Sequence, residues 1–111
     1  MSLSELPEVI GGYQAAHDRR DVDAAVAAFA PDATVLDDGA TYVGAASIHS
    51  WIATAASEFT YTRTLTGFDD LGDGVYVVRN HLEGDFPGGE VDLHYRFQIR
   101  DGLIEHLEIA P

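Results

Sequence analysis

The stretch EVDLHYRFQIRDGLIEHLEI, residues 90–109, decides the fold class. Val91, Leu93, Tyr95, Phe97 and Ile99 occupy alternate positions, with Asp92, His94, Arg96, Gln98 and Arg100 between them. A period of two marks an extended strand with one buried face, because successive side chains leave opposite sides of a pleated backbone. Asp101-Gly102 follows, and this pair tolerates the left-handed backbone that a two-residue hairpin needs. Residues 103–109 resume as a strand, in which Leu103, Leu107 and Ile109 are expected on the apolar face and Ile104, His106 and Glu108 on the other.

Upstream, Glu58 to Phe68 and Val75 to Phe86 show the same alternation, with turns expected at Asp69 to Gly74 and at Pro87-Gly88-Gly89. Four strands in succession make an antiparallel meander, and the absence of a βαβ alternation excludes a parallel Rossmann-type sheet. Before residue 58 the apolar period is helical. A helix over 4–18, capped by Ser4 with Pro7 in its first turn, carries Leu6, Val9, Ile10, Tyr13, Ala16 and His17 on one stripe. Asp21 caps a second helix through Val22, Ala25, Val26 and Phe29, which Pro31 ends. A third starts at Gly44 and holds Ile48, Trp51, Ile52 and Ala55. Between the second and third, Ala33 to Leu36 and Thr41 to Val43 read as short strands about an Asp37-Asp38-Gly39 turn.

The 111 residues, 46% apolar, suffice for one core, and residues 1–111 read as a single α+β domain. No signal-peptide pattern opens the chain, no apolar run is long enough for a membrane span, and a cytoplasmic location is the default expectation. There are no cysteines, so disulfide and thiol chemistry are excluded. The six basic residues are all Arg, against nineteen acidic ones, for a net charge of −13. Such a surface repels phosphate backbones and anionic lipid, so neither nucleic acid nor a membrane is expected as partner.

The order helix, Asp21-Val22-Asp23-Ala24-Ala25, Phe29-Ala30-Pro31-Asp32-Ala33-Thr34-Val35, a short acidic turn, Tyr42-Val43-Gly44, helix and four strands resembles the SnoaL-like, nuclear-transport-factor-2-like superfamily over essentially the whole chain. Arg100-Asp101-Gly102-Leu103-Ile104 fits as well. The resemblance implies a cone-shaped, cystatin-like fold, with three N-terminal helices packed on a curved, mostly antiparallel sheet around a small pocket. It also implies a small apolar ligand, no cofactor, and a homodimer formed through the outer sheet face, here carrying His81, His94, Arg96 and Gln98. The superfamily contains isomerases, cyclases, dehydratases and hydrolases beside non-catalytic binding modules, so fold does not select the reaction.

Against the ketosteroid isomerase pattern, Tyr13 falls at the place of the oxyanion tyrosine and Asp37 at that of the general base, while Leu93 stands where that pattern has a second, protonated acid. Each residue has a structural explanation too: Tyr13 as core on an apolar helix stripe, Asp37 as a cap on its own turn. Trp51, Leu93, Tyr95 and Leu107 are expected as pocket wall, and Asn80, the one uncharged polar side chain on its strand's apolar face, would hold a ligand carbonyl or a neighbouring backbone group. His17 reads as a surface residue on a helix shoulder more readily than as a pocket base. His81, His94, His106 and Glu108 lack any recognised ligand spacing, so no metal site is expected. Two readings follow. In one, a cofactor-free isomerase, cyclase or lyase acts on an apolar carbonyl compound with Asp37 as base and Tyr13 as donor; in the other, a ligand-binding or dimerisation module does no chemistry.

Overall fold

Three Asp-Gly pairs shape the sheet. Asp38-Gly39, Asp73-Gly74 and Asp101-Gly102 all have positive φ at both residues, the backbone of a type I′ turn, whose twist matches that of the strands it joins. In the computed structural model, which describes residues 6–54 and 60–111, these turns link β1 (Phe29–Asp37) to β2 (Ala40–Val43), β3 (Tyr61–Gly72) to β4 (Val75–Gly84), and β5 (Glu90–Arg100) to β6 (Leu103–Ala110). The six strands form one sheet in the order β2-β1-β6-β5-β4-β3. All neighbours are antiparallel except β1 and β6, which pair in parallel.

Helices α1 (Glu8–Asp18), α2 (Val22–Ala27) and α3 (Ala45–Ala53) cover one face. Their Ile10, Tyr13, Ala25, Ile48, Trp51 and Ile52 meet Val35, Val78, Phe97, Ile104 and Leu107 of the sheet in one buried cluster. This is the expected α+β arrangement, and no described helix is long and apolar enough to cross a membrane. The Asp21 carboxylate accepts from the Ala24 amide at 3.2 Å, capping α2 as its sequence suggests.

Several boundaries differ from expectation. Helix α1 begins at Glu8, after Pro7, and Ser4 lies outside the described residues. Phe29 belongs to β1 rather than to α2, and β1 crosses Pro31: its register against β6 shifts between Phe29 and Thr34, so the missing proline N–H falls in an irregular stretch. Strand β3 runs on to Gly72, so its turn is Asp73-Gly74 alone; residues 58 and 59, expected at its start, lie outside the described residues. The Leu103/Ile104 face assignment is reversed. Gln98 pairs with His106 but Ile99 with Ile104, leaving Glu105 as an extra residue; this bulge returns Ile104 to the core, fully buried, and leaves Leu103 partly exposed.

Candidate functional site

Asp37 is the last residue of β1, immediately before the first type I′ turn, and the strand's end carries its side chain to the mouth of the helix-sheet core. A cleft of about 670 Å³ opens there, with Leu36, Asp37, Tyr61, Leu82, Leu93 and Ile109 among its walls. A smaller cavity of about 130 Å³ continues inward and shares Asp37, Tyr61, Leu82, Leu93 and Ile109 with the cleft, adding His17, Trp51 and Tyr95. Asp37 therefore stands at the junction of the two. Its Oδ2 accepts a 3.0 Å hydrogen bond from the Trp51 indole, a partner on α3 rather than in its own turn. Burial raises the Asp37 pKa above the ordinary aspartate value; the indole bond opposes that shift, and neighbouring Asp38 adds to it.

Tyr13 is fully buried and is not among the residues lining either cavity. Its hydroxyl pairs with His17 Nδ1 at 2.9 Å, and its ring packs edge-on to Phe29 and Phe97. Burial lifts the Tyr13 pKa well above that of a free phenol. His17, one turn further along α1, is 5% exposed and lines the inner cavity, which corrects the expectation of a surface residue. It lies edge-on to Trp51, so Tyr13, His17, Trp51 and Asp37 form a continuous series of contacts from core to cleft.

Of the other expected wall residues, Leu93 lines both cavities, Tyr95 and Trp51 the inner one, and Leu107 lies wholly in the core. Asn80 is 1% exposed, lines neither space, and has no hydrogen-bond partner for either atom of its amide. Burial pushes the Tyr95 phenol up to about 12.

Sequence reasoning missed two residues of β3, Tyr61, which lines both spaces, and Arg63. The Arg63 side chain is only 4% exposed and points inward. The guanidinium sits over the Tyr95 ring at 5.1 Å and near the Tyr61 ring at 6.0 Å. Its Nη2 donates a long 3.4 Å hydrogen bond to the Tyr61 hydroxyl. Nε lies 3.2 Å from Asp18 Oδ1, close enough for an ion pair though off-line for a hydrogen bond, and Nη1 is buried without a partner. Desolvation works against this charge, but Tyr95 and Asp18 outweigh it and raise the Arg63 pKa, so the group stays cationic. The signal was present in the sequence: if Thr60, Thr62 and Thr64 face outward, Tyr61, Arg63 and Leu65 must face the helices.

The outer sheet face is polar. A depression of about 390 Å³ is bounded by Asp32, Thr34, Arg96, Gln98, Glu105 and His106, with Thr34 Oγ1 and His106 Nδ1 2.6 Å apart. His81, Glu83 and Glu90 bring ligand-type atoms within 4.8 Å of one another, but His81 already directs Nδ1 at Asp92 (2.6 Å) and Nε2 at Glu83 (3.2 Å). These bonds raise the His81 pKa above the ordinary histidine value.

Helices on one face of a six-stranded sheet, with a pocket opening at the end of the first strand, make the α+β fold that nuclear-transport-factor-2-like and ketosteroid-isomerase-like structures share. Within that class the chain belongs to the SnoaL-like domain family, whose model matches residues 10–107. It is similar to the structure of a candidate polyketide cyclase from Sinorhizobium meliloti: 36% identity, TM-score 0.91, covering 99% of this chain and 100% of that one. A ketosteroid-isomerase-like protein of Catenulispora acidiphila, in complex with trimethylamine, shares the fold at TM-score 0.82 and 23% identity, over 95% of this chain and 85% of that one. So does a Mycobacterium tuberculosis protein in complex with estradiol-17β-hemisuccinate, at TM-score 0.77 and 16% identity, over 93% and 90% of the two chains. Among curated proteins no match is found.

Proposed function

We propose that the chain is a small-molecule-binding domain whose pocket catalyses proton transfer on an apolar, carbonyl-containing substrate, as a cofactor-free isomerase, cyclase or lyase with Asp37 as general base. The observation that carries this is the position of Asp37: it is the carboxylate shared by the cleft, whose rim also holds Asp38 and Glu108, and the inner cavity, and it is fixed through one oxygen by Trp51. Desolvation brings its pKa closer to the working pH, which makes it a better base for a weak carbon acid. The likeness to a candidate polyketide cyclase, and the steroid ester and amine held by two proteins of the same fold, support a small organic ligand. In this reading Tyr13 acts through His17: it fixes the imidazole that reaches the cavity rather than touching the ligand itself. The same residues, 1–111, form one domain, and two copies pair through the outer sheet face.

One observation favours a second reading, a binding module without turnover. The Tyr13 hydroxyl is committed to His17, and Leu93 supplies no second acid, so the oxyanion site of the isomerase pattern is not assembled from those positions. A screen of small ketones, enones and epoxides with the parent chain and Asp37→Asn decides between the two. Catalysis predicts turnover by the parent and none by the variant, with ligand affinity kept within a few-fold. Binding without turnover by both proteins establishes the module.

A further inference from the structure

We propose that Tyr61, backed by the buried Arg63 guanidinium, is the hydrogen-bond donor of this pocket, and that the site takes ligands presenting an oxygen on which negative charge rests or develops: an enolisable ketone, or an enol or phenol ionised to its oxyanion. The inference rests on the ligand-site reading above and supplies the donor that Tyr13 cannot.

Tyr61 lines both the cleft and the inner cavity, as Asp37 does, so one occupant can touch both. Its oxygen accepts from Arg63 Nη2 at 3.4 Å. A phenol has one hydrogen to give, and an oxygen that accepts from a cation turns its own O–H away from that cation. A donor polarised in this way gives a stronger bond to an anionic acceptor than an isolated phenol does.

Arg63 is otherwise hard to account for. It is enclosed by two aromatic rings and one carboxylate, Asp18, which is itself partly exposed, and its Nη1 is left without a partner. A buried guanidinium with Nε and Nη1 lacking hydrogen-bond partners has donors to spare, and its positive charge favours negative charge appearing nearby. Register places it close to the pocket floor: Arg63 pairs with Leu82, and its diagonal neighbour Asn80 pairs with Leu93, both leucines being walls of the cleft and the cavity. Reaching Tyr95 on β5 from β3 requires the side chain to cross β4 at this level. The step served is balanced within the pocket. Asp37 takes the proton from the carbon next to the carbonyl, the C–H pair becomes the C=C bond, and the carbonyl π pair moves to oxygen, where Tyr61 donates. Return of the proton from Asp37 to the far carbon of a conjugated enolate, with the oxygen pair re-forming the carbonyl, completes an isomerisation.

The test uses the Asp37→Asn protein, whose neutral amide stands for the protonated base, at an ionic strength that screens the acidic surface. Two probes that differ only by an O-methyl group are titrated: 4-nitrophenolate, which carries the oxyanion, and 4-nitroanisole, which does not. The expected result is tighter binding of the phenolate with a shifted absorption band. Adding Tyr61→Phe weakens phenolate binding by about tenfold or more, the range for a hydrogen bond to a charged group, and leaves the anisole unchanged. Arg63→Met removes the phenolate preference, and Arg63→Lys, which keeps a charge, restores part of it. Tyr61→Phe with an unchanged phenolate spectrum and affinity overturns the proposal. Anisole binding with no phenolate preference overturns it while leaving the ligand pocket standing; failure of both probes to bind removes the proposal and the ligand-site reading together.

Discussion

Because Asp37 loses solvation in the folded chain, its carboxyl holds a proton there at pH values where the unfolded chain has released it. The folded state therefore binds more protons between the ordinary aspartate pKa and the raised one. Stability contributed by this group is fully present below that window, declines as pH rises through it, and is flat above. Asp37→Asn keeps an oxygen for the Trp51 indole but has no charge to desolvate. Thermal unfolding across a pH series should show the variant more stable than the parent at neutral pH, with the gap closing in acid. If turnover is found, its rate in the parent should fall as pH drops through the raised pKa. At Tyr13 the expectation is structural: Tyr13→Phe removes the buried hydrogen bond to His17 Nδ1 and should cost about 1–2 kcal/mol in urea unfolding. An NMR change in the His17 tautomer should accompany that loss. Asn80, with both amide atoms buried and unpartnered, should accept Leu with little loss of stability or a gain, since an apolar side chain of similar volume removes the unpaired groups.

At the level of elements, the three Asp-Gly turns share one backbone but not one environment. A Cβ added at Gly102 would meet nothing within 4 Å, whereas at Gly74 it would fall 2.3 Å from the Ile99 carbonyl oxygen. Gly102→Ala should cost about 1–2 kcal/mol from left-handed strain alone. Gly74→Ala should exceed it clearly in the same denaturant titration, since backbone must also move. These turns were legible in the sequence because Asp-Gly states its own conformation locally, and so was the inward face of β5, whose alternation runs unbroken from Val91 to Ile99. The β6 bulge was not: nothing about Glu105 marks it as the extra residue, and one unmatched residue exchanges the faces of Leu103 and Ile104. Pro31 misled for a related reason. It does break a helix, but an irregular stretch of strand accommodates a missing N–H equally well.

Across the whole molecule, nineteen acidic groups against six arginines load the folded surface with like charge. Self-repulsion of that kind is screened by salt, so the unfolding temperature should rise between low and moderate ionic strength, most steeply at the low end. The outer sheet face, with its polar depression around Arg96, Gln98 and His106, is where the proposed dimer forms. Sedimentation at high micromolar concentration should show a two-fold dimer that weakens with added salt; monomer alone would reject it. The pocket was only half legible beforehand. Asp37 and Leu93 could be marked from the resemblance to the isomerase pattern, but the enclosure of Arg63 between Tyr61 and Tyr95 is made by three residues on two strands that β4 separates, and no local pattern encodes it. The parallel pairing of β1 with β6 has a further consequence, in time rather than space. Strand β1, which carries Asp37, takes its place in the sheet between β2 and β6, the strand that follows the other five along the chain. Until Leu103–Ala110 has emerged, the β1–β2 hairpin has no sheet to join, so the base can reach its pocket only after translation of this stretch is finished.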